Sequence, residues 1–400
     1  MEDAMKILAH DVDAHEMIPS HLLGEAFGEP GRMLGELFAV VDKLNPDPTA
    51  TNMHQPSIND TMEIDPDNIW KVKGPPAPSA IDLGRRIEVM DVMGIDRQLV
   101  FPTAAIGAMV IGGMTDFGFA QRFGGDVSMF GDLSRPQFAS RFVDAYNQWA
   151  IDNSKIDDRI RTVGIVRTSD DVNEMIAEAT KLVEGGIRAV YLQADVPPGG
   201  VSPAHSLLDP LWALFEAHDV AVTLHLGIEF FFLDPRWCVA ETFNDLFQSP
   251  EIPNTNIQMF STVHMAIENY LSTLVLGGVF ERFPRLRVGL LEVGAYWVGP
   301  AARRMDMYTK VFPGAAAAKF PMKPSEYIAR NVRVSPFNFE PIDRYFQDDP
   351  NLSDVFCFST DYPHVEGTKD AMKNMLAKVE PLGEEIALKF FRTNAEWLLP

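Results

Sequence analysis

Cysteine is nearly missing from this chain: 400 residues hold only Cys238 and Cys357, far apart and without metal-type spacing. Neither a disulfide framework nor a thiolate metal site follows from such a pair. Basic residues are also scarce, with 34 Lys and Arg against 56 Asp and Glu and a formal net charge of −22. Nucleic-acid binders draw much of their affinity from Lys and Arg that neutralise phosphates, so this balance argues against nucleic acid as a partner. An anionic small substrate stays compatible, because a local pocket can oppose the global field. Long apolar runs are missing as well. LSTLVLGGVF is too short for a membrane span and leads straight into ERFPRL. The start, MEDAMKILAH, carries acids and has no apolar signal core. The expectation is a soluble protein in a reducing, cytoplasmic setting, with no membrane partner. No glycine-rich nucleotide loop follows the first apolar stretch, which argues against a doubly wound dinucleotide fold.

What is present is a rhythm. At 46% hydrophobic content the chain can bury a large core. Apolar strand-like runs recur as MKILAHDVDAH, DRQLVFPT, IRTVGIVR, IRAVYLQAD, VAVTLHLG, LRVGLLEVG, NVRVSPF and DVFCFSTDYPH, each followed by helical sequence. The middle runs are almost continuously apolar, as in parallel strands covered on both faces. Eightfold strand–helix alternation predicts an α/β fold, a (β/α)8 TIM barrel. The chain reads as a single domain over 1–400. Insertions at about 20–80, 104–133 and 228–262 are expected to lie over the C-terminal face.

Polar residues gather at the carboxyl ends of these runs, where barrel enzymes carry their chemistry. The first ends in Asp13, His15 and Glu16, the fifth in His225, the sixth in Glu292, and the eighth in Asp361 and His364. Each has a local reading. His225 fits a hydrogen-bonded core histidine, Asp361 a turn cap, and Glu292 an ion pair with Arg303 or Arg304. Burying charge is costly unless it is paired or metal-bound, and four strand ends agreeing point to a cation at the mouth. A carboxylate and imidazole set without thiolates suits Zn, Mn or Fe. His364 follows Asp361 by three and is a further ligand or a partner of one. Glu16 alternates away from His15 in an ideal strand; it reaches the site if the strand end bends and is otherwise a surface residue at a helix start. His264, opening HMAIENY, reads as an acid/base group, a substrate contact or a helix-start surface histidine. His10, His21, His54, His205 and His218 have no comparable context and read as surface or loop residues.

At these residues the sequence resembles the amidohydrolase superfamily. It most resembles the amidohydrolase-related branch that includes aminocarboxymuconate-semialdehyde and resorcylate decarboxylases. The matching stretches are DVDAHEMIP, PLWALFEAHDVAVTLHLG, LVLGGVFERFPRLRVGLLEVGAYWVGPAARRMD and FSTDYPH. The resemblance implies metal ligands at Asp13, His15, His225 and Asp361. It also implies a catalytic histidine after the sixth strand, where this chain reads LLEVGAY and places Glu292. With Glu16, Glu292 and His364 the donors are enough for one or two divalent ions.

The leading expectation is a metal-dependent hydrolase or carboxy-lyase acting on a small organic acid or acyl compound. In this reading Asp361, His264 and Glu16 serve in catalysis, while Asp13, His15, His225, Glu292, Asp361 and His364 hold metal. The alternative is a non-heme diiron monooxygenase hydroxylating an apolar, coenzyme A-linked substrate. A third reading is a ligand-binding barrel without catalysis. The apolar insertions IGAMVIGGMTDFGFAQRF and IEFFFLDPRWCVAETF point to a large apolar or aromatic substrate part, or to packing. The branch implies a homodimer, and no cofactor besides metal is indicated.

Overall fold

The apolar runs become strands that pair in the order of the chain. The computed structural model describes residues 7–44, 58–238, 240–244, 257–312, 314 and 320–399. Parts of the first and third insertions, His54 among them, lie outside the described residues. Strands β1 (Ala9–His15), β2 (Ile95–Phe101), β3 (Ile160–Ile165), β4 (Ala189–Tyr191), β5 (Ala221–His225), β6 (Arg287–Leu291) and β7 (Val332–Val334) form one sheet, neighbours in sequence being neighbours in space. Every pair is parallel.

The eighth expected strand closes the ring in a looser form. Residues 356–362 reach β7 through the Val334–Phe356 bridge and β1 through the Ala14–Tyr362 bridge. Backbone bonds from Val12 to Phe358, from Asp361 to Asp13 and from His15 to Tyr362 complete the seam. A continuous ladder does not form here, and Asp361, between the two bridges, takes a left-handed backbone, φ 49°. The result is a (β/α)8 TIM barrel.

Local signals set the element ends. Ser134 and Gln137 form a reciprocal capping box at the start of the helix Arg135–Asn153. Gly94, at φ 77°, terminates the helix Arg86–Met93 one residue before β2, a backbone state that glycine adopts at little cost. Gly289 in β6 has a packing reason: a Cβ there would stand 3.1 Å from Leu398.

The two barrel ends differ in chemistry. At the amino end, Arg97, Arg287 and Arg333 donate to the carbonyls of Leu399, Trp397 and Asn394, so the last turn of the chain plugs the floor. His10 sits near that end, not on the surface as its sequence context suggested; it is buried, 3.9 Å from Asp96 and 3.6 Å from Glu396. At the carboxyl end, the first helix of the second insertion, Ala104–Gly113, lies across the exit of β5. Its Ile106 would meet a Cβ on Gly227 at 3.1 Å. Among the described residues no helix is long and apolar enough to cross a membrane.

Candidate metal centre

Strand register brings the polar ends together. Asp13 and His15 close β1, His225 closes β5, Glu292 follows β6 directly, and Asp361 stands in the closing segment. All five are 5% exposed or less. His225 Nε2 lies 3.1 Å from Asp13 Oδ1 and 3.2 Å from Glu292 Oε2. His15 Nε2 lies 3.4 Å from both Asp13 Oδ1 and Asp361 Oδ1, and 3.7 Å from Glu292 Oε2. His364 Nδ1 lies 3.3 Å from Asp361 Oδ1 and 3.9 Å from Glu292 Oε1.

Two overlapping donor sets result. Asp13, His15, His225 and Glu292 form one, and His15, Glu292, Asp361 and His364 the other, with the ligand atoms of each within 4.8 Å of one another. Glu292 turns Oε2 to the first set and Oε1 to the second.

The donors fit a cation. His15 Nε2 and both carboxylate oxygens of Asp361 are buried without a hydrogen-bond partner, a costly state that a divalent ion would relieve. The His225 ring is set for ligation, since its Nδ1 lies 2.7 Å from the carbonyl of Leu226 and turns Nε2 to the carboxylates. Electrostatics agree. Burial pulls the His225 imidazole down, but Asp13 and Glu292 outweigh it and push it up to about 9. Burial, with His364 and His225 nearby, holds His15 well below the ordinary histidine range. Burial and the neighbouring Asp361 carboxylate push Glu292 upward. The buried cluster is thus able to hold a divalent metal ion.

His225 is a buried histidine hydrogen-bonded at both ring nitrogens, as its local reading has it, whereas the local readings of Glu292 and Asp361 do not hold. Arg303 pairs with Asp349 and Arg304 with Glu268, so neither reaches Glu292. Asp361 makes no side-chain cap.

Glu16 and His264 stand apart from the donor sets. Glu16 is fully buried, with Oε1 accepting from the N–H groups of Thr103 and Ala104 and Oε2 from Ile18. It caps the helix Ala104–Gly113, and burial pushes its carboxyl up to about 7 despite those three donors. The strand end does not bend it toward the donor sets, nor does it reach the surface. His264 is held 2.8 Å from the Tyr296 hydroxyl and lies over Trp297.

Several contributors escaped the sequence reading. Asp11, buried in β1, accepts from Thr360 and Gln98 and ties the closing segment to β2. Arg86 is buried behind His15 and donates to its carbonyl, to Gln98 and to Ser79. Phe101, ending β2, stacks on the His225 ring with centroids 4.4 Å apart. The alternation Asp11, Asp13, His15 already carried Asp11; the others gave no pattern separable from ordinary core or helix sequence.

The chain belongs to the amidohydrolase family, whose model matches residues 78–400. Among solved structures it is similar to an amidohydrolase from Mycobacterium avium subsp. paratuberculosis K-10, at 20% identity and TM-score 0.64 over 99% of both chains. It is similar to 2,6-dihydroxybenzoate decarboxylase from Rhizobium, at 16% identity and TM-score 0.56 over 98% of both chains. A further likeness is 5-carboxyvanillate decarboxylase from Novosphingobium aromaticivorans DSM 12444, crystallised with manganese and 4-hydroxy-3-methoxy-5-nitrobenzoic acid. It shows 16% identity and TM-score 0.55 over 98% of this chain and 96% of that one. No curated protein matches the chain.

Proposed function

We propose a metal-dependent hydrolase or carboxy-lyase acting on a small organic acid or acyl compound with an apolar or aromatic part. One observation carries this reading: donors from β1, β5, the end of β6 and the closing segment converge, with His15 Nε2 and the Asp361 oxygens left unbonded. Aromatic-acid decarboxylases with manganese in one case, found among the structural relatives, support both the ion and the substrate class. Phe101 and Ile106 beside the β5 exit add apolar surface near the donors.

Asp13, His15, His225 and Asp361 would hold the ion, with Glu292 and His364 extending the set. When bound, the ion supplies a Lewis acid that polarises a substrate oxygen or acidifies a water. Asp361 takes up a proton at a carboxylate oxygen. Glu292 stands where the resembling decarboxylases place a histidine, and where it does not ligate the ion its carboxyl would donate a proton. Glu16 keeps the Ala104–Gly113 helix in place, and His264 with Tyr296 shapes the loop after β6. We also propose a homodimer, an expectation that rests on the resemblance and that light scattering tests. The diiron alternative finds no support among the relatives.

Elemental analysis of protein purified without chelators or added metal tests this reading, followed by assay against benzoate-type acids and acyl esters. Zinc or manganese at about one per chain supports it. No metal, and none taken up on addition, would sink it.

A further inference from the structure

Thr103 follows β2 and belongs to none of the donor sets, yet two of their imidazoles converge on it. Its Oγ1 lies 3.3 Å from His15 Nδ1 and 3.0 Å from His364 Nε2. The two rings are stacked, centroids 3.8 Å apart with 17° between planes, so both present an edge to the same hydroxyl. The backbone N–H of Thr103 is fixed in turn, donating to Glu16 Oε1 at 2.9 Å.

The nitrogens facing the carboxylates are the opposite ones, His15 Nε2 and His364 Nδ1. A neutral imidazole carries one N–H and one lone pair. A ring that gives its lone pair to an ion therefore places its N–H on the far nitrogen. For His15 and His364 both far nitrogens point at Thr103 Oγ1. A hydroxyl oxygen has two lone pairs and can accept both N–H groups while its own hydrogen turns away. Were the hydroxyl to donate to either ring, that ring would carry its N–H toward the carboxylates and have no lone pair for an ion.

We infer that Thr103 is a positioning residue that accepts from His15 and His364 together and so locks both imidazoles in the tautomer that binds metal. The inference rests on the metal reading above, and the test separates the two. Wild type, Thr103→Ser and Thr103→Val, each stripped with chelator, are titrated with Co²⁺ alone while the visible absorption is followed, and the thermal midpoint of each stripped protein is recorded.

Loss of an outer hydrogen-bond partner weakens metal sites by roughly 10–100-fold. Thr103→Val should lose Co²⁺ affinity by about that factor and alter the absorption band, while its stripped-state midpoint falls because the buried His15 Nδ1 loses its partner. Thr103→Ser, which keeps the oxygen, should bind like wild type. Should Thr103→Val prove insoluble, Thr103→Ala carries the same test. A valine variant with wild-type affinity and spectrum overturns the inference. So does a serine variant as weak as valine, since the methyl group and not the oxygen would then hold the rings. Failure of the wild type itself to bind Co²⁺ would overturn the metal reading instead.

Discussion

Glu292 and Asp361 leave different strands with the same unusual backbone, at φ 54° and 49°, and aim into one buried cluster. Non-glycine residues held in this region cost about 1–3 kcal/mol each and persist where the surroundings enforce them. Here the enforcement is visible: Asp361 N–H donates to the Asp13 carbonyl, and Glu292 N–H to the Ser335 hydroxyl. The cluster also gathers three carboxylates, and burial with the neighbouring Asp361 pushes Glu292 toward protonation. Without metal this arrangement is a burden on stability, which a bound divalent ion would relieve. Asp361→Asn keeps a side chain that tolerates the left-handed backbone and removes one charge. The stripped variant should be at least as stable as stripped wild type in urea, while its affinity for Mn²⁺ or Zn²⁺ falls by at least about 10-fold. A variant that loses stability without metal, or keeps full affinity, contradicts this account.

Much of this was legible in the residues. Asp13 and His15 share a strand face because side chains alternate, and parallel pairing carries every strand end to one mouth, so His225, Glu292 and Asp361 could be placed with them. Glu16 was not legible. Alternation puts it opposite His15, but only the packed structure shows that the opposite side is the buried start of the helix Ala104–Gly113 and not solvent. Thr103 and Arg86 are contacts of tertiary origin, reaching His15 across 88 and 71 residues of chain, and no local period encodes such a pairing. The closing segment was expected as a strand from its apolar run; it pairs through isolated bridges instead, with the backbone turn at Asp361 between them.

Glu16 gives a direct check on its structural role. Three backbone N–H groups, of Ile18, Thr103 and Ala104, end on its carboxylate away from solvent. Each buried donor left unsatisfied costs about 1–3 kcal/mol. Glu16→Ala should therefore lower unfolding stability by a few kcal/mol, read by urea denaturation of the stripped protein. A loss of activity with no loss of stability would instead return Glu16 to catalysis.

Arg86 anchors the rear of the site. Fully buried, it donates to the His15 carbonyl at 2.9 Å, to Gln98 Oε1 at 3.0 Å and to both oxygens of Ser79. Gln98 passes the connection to Asp11 at 2.7 Å. Removing one partner of a buried charged network costs about 3–5 kcal/mol. Arg86→Leu is expected to lose stability on that scale in urea unfolding, more than Arg32→Leu on the surface, which pairs with an exposed Glu36. Equal effects of the two substitutions would refute the network.

Glu229, two residues beyond the β5 exit glycine, sets a pH dependence that can be measured away from the donor sets. Its Oε1 accepts from the Tyr191 hydroxyl and the Ala194 N–H, and Oε2 is buried without a hydrogen-bond partner. Burial, with Asp195 adding to it, pushes the carboxyl up to about 7 from an ordinary 4.5. The folded protein therefore holds this proton more tightly than the unfolded chain. The resulting stabilisation is complete below about pH 4.5 and disappears as pH rises through about 7. At about 1.4 kcal/mol per unit, the full difference is on the order of 3 kcal/mol. Glu229→Gln keeps the acceptor for Tyr191 and cannot ionise, so the gap between variant and wild type should widen in the variant's favour between pH 5 and 8. Urea unfolding at several pH values reads that gap, and a constant difference across the range would show that Glu229 does not titrate as its burial requires.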